Sequence, residues 1–148
     1  MRSAKPAHAH KSRHKNETSC TDCGLSNFCL AQGIPGKLLG ALDELAQNKR
    51  LLERGDYLFR QDEVFRNLFV VRSGSIKGLT YSDSSHERIA CFYLPGEILG
   101  FGAIGNNQYN LSAVALEPTE VCEISFAQLQ LLAHEIPSLQ QRLHTLMS

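Results

Sequence analysis

Between residues 49 and 125 the apolar residues fall into short runs, each closed by a turn signal. The runs are Leu51-Leu52, Tyr57 to Phe59, Leu68 to Arg72, Ile76 to Tyr81, Arg88 to Leu94, Ile98-Leu99, Ser112 to Leu116 and Val121 to Ser125. Arg54-Gly55-Asp56, Ser73-Gly74, Ser82 to Ser85, Pro95-Gly96 and Glu117-Pro118 separate them. Val, Ile, Phe and Tyr are rich in these runs, as strands require. Short strands at this spacing predict an antiparallel β-sandwich or jelly roll.

Helical patterns flank the strands. Gly33-Ile34-Pro35-Gly36 opens a segment in which Leu38, Leu39, Leu42 and Leu45 make one apolar stripe. Pro35 suits a first helical turn, and Asn48 and Lys49 stand where this helix is expected to end. Phe126 to Ile136 carries Leu129, Leu131, Leu132 and Ile136. Pro137 then starts a further segment with Leu139, Leu143, Leu146 and Met147 on one stripe, expected to be left partly uncovered. The expected class is mainly β with flanking helices, and 148 residues suffice for one domain.

Residues 1–18 are rich in His, Lys, Ala and Ser and have no apolar period, which reads as a disordered tail. His8, His10 and His14 read as solvated tail residues rather than metal ligands. The basic residues Arg2, Lys5, Lys11, Arg13 and Lys15 precede no apolar signal region, and no apolar run approaches the ~18 residues of a membrane span. A reducing cytoplasm is therefore expected, where clustered cysteines mean metal or redox chemistry more than disulfides. Lys plus Arg equals Asp plus Glu at 15 each, which argues against a nucleic-acid surface spread over the whole chain.

Cys20, Cys23 and Cys29 form C-x2-C-x5-C, three of the five cysteines within ten residues. A loop this short can aim three sulfurs at one centre. Tetrahedral zinc or a cubane iron–sulfur cluster normally takes a fourth ligand. Cys91 and Cys122 remain, both in expected strands, so a fourth thiol would clip the loop onto the β-domain. Structural zinc more often uses paired C-x2-C knuckles, and no second pair is present. That places an iron–sulfur cluster ahead of zinc, with zinc as the alternative.

Other motifs carry little. Gly100 to Gly105 matches G-x-G-x-x-G, but Asn106 and Asn107 follow at once, which reads as a loop. Ser73, Ser75 and Ser112 lie in no nucleophile motif, and Asp43-Glu44 and Asp62-Glu63 read as solvent-facing acids. His86, His134 and His144 read as surface or capping residues. No enzyme activity is expected.

Three stretches carry a resemblance: Val71 to Lys77, Phe92 to Phe101, and Ala113 to Ile124. Together they resemble the sensory domain of the CRP/FNR regulators. With Cys20, Cys23, Cys29 and Cys122, residues 20–148 are similar to the FNR/Anr-type oxygen sensors. The resemblance implies a double-stranded β-helix of the cyclic-nucleotide-binding type. It implies Cys122 as the fourth ligand of a [4Fe–4S] cluster, leaving Cys91 as a thiol packed in a strand. It implies that the cluster favours a homodimer through a long helix, that the dimer engages DNA and RNA polymerase, and that oxygen degrades the cluster and releases DNA. In the cyclic-AMP-binding members an acid holds the ribose and an Arg-Ser pair holds the phosphate. Phe101 and Leu111-Ser112 stand at those positions, so no cyclic nucleotide is expected.

The expected organisation is a tail at 1–18, a cysteine loop at 19–32, a β-roll at 33–136, and the start of a dimerisation helix at 137–148. On that reading the chain carries no helix-turn-helix to enter a major groove.

Overall fold

The computed structural model describes residues 39–83 and 86–147. All eight expected runs are strands: β1 (Asn48–Leu52), β2 (Tyr57–Phe59), β3 (Asn67–Ser73), β4 (Ile76–Tyr81), β5 (Glu87–Tyr93), β6 (Ile98–Leu99), β7 (Ser112–Ala115) and β8 (Thr119–Ser125). Helix α1 (Leu39–Leu45) precedes them, and α2 (Phe126–Glu135) and α3 (Pro137–Met147) follow. The strands form two antiparallel sheets, in the orders β1-β8-β3-β6 and β2-β7-β4-β5. Helices follow the strands, and the fold is the jelly roll that the sequence predicts.

Aromatic rings fill the space between the sheets. Phe59 of β2 stacks on Phe69 of β3 at 5.8 Å and on Tyr109 at 3.9 Å. Phe65 meets Tyr109 edge-on at 5.5 Å. The Tyr109 hydroxyl donates to the Asn67 carbonyl at 2.8 Å, which pairs its one polar atom. Because Phe69 points between the sheets, its alternate neighbours Leu68 and Val70 point to the opposite, outer face of the first sheet. Leu68, Val70 and Ile124 are nonetheless buried there. Helix α2 packs against β8 and against α1.

The helical ends follow local chemistry. Ser125 sits in an extended conformation before α2, and its hydroxyl accepts from the Gln128 N–H at 3.4 Å. Ile136 breaks the helix, and Pro137 starts α3 where its missing N–H costs nothing.

One expectation needs correction. Helix α1 ends at Leu45, and Asn48 and Lys49 are strand residues paired with Glu123 and Cys122 of β8. A five-residue ladder claims them, so the helix stops short. The α3 stripe is left partly uncovered, as expected. Leu139 and Leu143 are buried in the core, Leu146 packs against it, and Met147 is exposed. The break at Ile136 turns α3 back onto α2, and Leu139 and Leu143 join the core shared with the β-roll.

Candidate functional site

Strand β8 lies between β1 and β3, so Cys122 has a neighbour on each side: Lys49 and Val70. Glu120, Cys122 and Ile124 share the outer face, while Val121 points inward and is fully buried. Cys122 is half-buried and packs against the core. Its strand runs without a break into α2 through the Ser125 cap. A shift at Cys122 therefore has a short, hydrogen-bonded path to both C-terminal helices.

Glu120, two residues before Cys122, is held by Arg72 at 3.2 Å. On the other side of β8, Glu123 accepts from the Asn67 amide at 3.0 Å. Cys20, Cys23 and Cys29 lie outside the described residues, as do His8, His10 and His14. Among the described residues no three His, Cys, Asp or Glu side chains gather at one point. Cysteine sulfurs suit a soft metal, and Cys122, half-buried on an outer face, keeps its thiol open to approach from outside the sheet.

Cys91 belongs to the other sheet. It stands on β5 opposite Gly78 of β4. A Cβ on Gly78 would lie 2.8 Å from the Cys91 sulfur and 3.2 Å from a Leu111 methyl. Burial pushes the Tyr93 phenol pKa up, and its hydrogen bond with Cys91 adds to the rise. The two remaining thiols thus occupy different sheets, a separation that cysteine spacing does not reveal.

From Gly100 to Ser112 the apolar residues pack inward. Gly100 adopts a left-handed conformation and leads into a single 3-10 turn, Phe101–Ala103. No long helix follows, so Gly100 to Gly105 is a loop of the β-roll. Ser112 is buried, and its hydroxyl accepts from the Gln61 N–H at 2.8 Å. Leu111 packs over Gly78. Phe101 and Leu111 pack against the core, and Ser112 is buried beside them.

Other polar groups are structural. Thr119 is buried and donates to the Glu117 carbonyl at 2.8 Å, beside the Ser73-Gly74 turn. The Arg60 guanidinium lies 3.8 Å over the Tyr57 ring, whose hydroxyl is 3.3 Å from that of Tyr81. That hydrogen bond is the main cause of a raised Tyr81 pKa. No helix among the described residues is long and apolar enough to cross a membrane.

The chain matches the cyclic nucleotide-binding domain family over residues 49–135. It is 40% identical over 138 residues to the transcriptional activator protein Anr of Pseudomonas protegens, covering 93% of this chain and 57% of that protein. It is 36% identical over 129 residues to the fumarate and nitrate reduction regulatory protein of Escherichia coli, covering 87% of this chain and 52% of that protein. The chain thus spans about half the length of the curated relatives it matches. Among solved structures, the Thermus thermophilus catabolite activator protein aligns with a TM-score of 0.69 at 24% identity, over 80% of this chain and 55% of that one. At that identity the likeness speaks for the fold.

Proposed function

This chain belongs to the cyclic nucleotide-binding domain family, and on that premise we propose that it is the oxygen- or redox-sensing domain of a CRP/FNR-type regulator. The observation that carries the reading is the position of Cys122. Its thiol sits half-buried on the outer face of a central strand, and that strand feeds α2 and α3 directly. Cys20, Cys23, Cys29 and Cys122 would hold a [4Fe–4S] cluster. When bound, such a cluster supplies a centre that oxygen can attack.

The chain's own residues do the rest. Cys122 would tie the N-terminal loop to β8, and the Ser125 cap would pass a change in β8 to α2. Leu139 and Leu143 anchor α3 to the roll, so α3 would shift with α2. In a longer regulator this movement would control dimerisation and, through that, DNA binding. The similarity to Anr and to the fumarate and nitrate regulator supports a place in transcription control rather than catalysis.

Anaerobic purification tests the reading. A brown protein with about four irons and four sulfides per chain is expected. Cys122→Ser should lose that content, whereas Cys91→Ser should keep it. A colourless protein with one zinc per chain would replace the sensor with a structural zinc site.

A further inference from the structure

Lys49 and Cys122 are in-register partners across the antiparallel β1–β8 ladder. Residues opposed in this way project to the same face, with Cβ atoms about 5 Å apart. Among the described residues, the other strand neighbours on that face are apolar or already engaged. Val70 and Ile124 are buried hydrophobics, and Glu120 is held by Arg72 at 3.2 Å. Lys49 is half-buried and has no ion pair among the described residues. The register thus brings a cationic side chain, with no carboxylate partner among the described residues, to the face that carries the Cys122 thiol.

We infer that Lys49 is a positioning residue for the metal centre at Cys122, supplying the counter-charge that retains it. The inference rests on the reading of Cys122 as a ligand. It does not depend on which metal is bound: four thiolates around a zinc ion or a [4Fe–4S]2+ core both leave two net negative charges. An ammonium beside one thiolate stabilises that dianion where partial burial weakens screening. The role needs a positive charge and length, so arginine should replace lysine and methionine should not.

The test is the rate at which EDTA strips metal, without oxygen, from the 148-residue chain reconstituted with iron and sulfide or with zinc. Lys49→Met should lose metal roughly three- to tenfold faster than wild type, and Lys49→Arg should match wild type. The ratio should shrink as potassium chloride rises from about 50 to about 500 mM, because salt screens the pair. The metal-free Lys49→Met protein should melt with wild type.

Equal stripping rates for wild type and Lys49→Met, with Cys122→Ser unable to hold metal, would overturn the role of Lys49 alone. A Lys49→Met apoprotein that melts far below wild type would make Lys49 a folding residue and overturn it too. A wild-type chain that takes up neither iron nor zinc would remove the sensor reading and this inference together.

Discussion

The sulfur of Cys91 lies 2.8 Å from the point where Gly78 would carry a Cβ. The two residues face each other across β4 and β5, and Leu111 closes the same space from β7's side. A side chain at 78 must therefore displace the thiol or the leucine. Gly78→Ala is expected to cost about 1–3 kcal/mol by overpacking. Cys91→Ala in the same chain removes the obstructing sulfur and should restore much of the loss. Chemical denaturation of the two single variants and the double variant measures the coupling. Strictly additive losses would show that 78 and 91 do not compete for space.

Cyclic AMP and cyclic GMP are expected to give no heat of binding in calorimetry at millimolar ligand. A cyclic phosphate needs a charge partner or several donors. Leu111 offers neither, and Ser112 adds a single hydroxyl that is buried. Saturable heat with either nucleotide would mean that the β-roll reads a small molecule through other groups.

Alkaline pH should destabilise the fold. Burial holds the Tyr93 and Tyr109 phenols above their ordinary pKa of 10.0. Their folded pKa values are raised, so the folded state keeps protons that the unfolded chain releases. That contribution is complete below pH 10 and is lost as pH climbs from there through the folded values. Melting temperatures across pH 8 to 11.5 should stay level at first and then fall. Tyr109→Phe should lower stability near neutrality, since it leaves the Asn67 carbonyl without its donor. The same variant should soften the alkaline fall. An alkaline slope identical to wild type would place the effect in other groups.

Leu139 is fully buried and Leu131 is 70% exposed, although both belong to the apolar stripes of neighbouring helices. Leu139→Ala should cost about 2–5 kcal/mol, the usual range for a leucine removed from a closed core. Leu131→Ser should stay within about 0.5 kcal/mol. Urea midpoints for the two variants decide this. Equal losses would mean that α3 does not seat on the roll as described.

Much of the fold was legible from local signals. The eight runs became eight strands because side-chain alternation and turn chemistry act over a few residues. Gly74 and Gly96 adopt positive φ at the turns where Ser73-Gly74 and Pro95-Gly96 had marked them. Pro137 likewise marked the start of α3. The end of α1 was misplaced because nothing near Asn48 and Lys49 says that β8, some 70 residues on, will claim them. The bulge opposite Gly78 and Leu79, which leaves Ala90 out of step, has no local signature either.

The candidate site divides the same way. Local sequence shows which thiols exist and that three of them stand close together at Cys20, Cys23 and Cys29, because both are properties of neighbouring residues. Long-range strand pairing puts Cys91 and Cys122 on different sheets, one against Gly78 and the other between Lys49 and Val70. Tertiary packing also turns Leu139 and Leu143 of α3 inward. Strand partner and register arise from pairing across long stretches of chain, where one residue of slip would change every neighbour. Lys49 could therefore not be singled out as a partner of Cys122 until β1 and β8 were aligned.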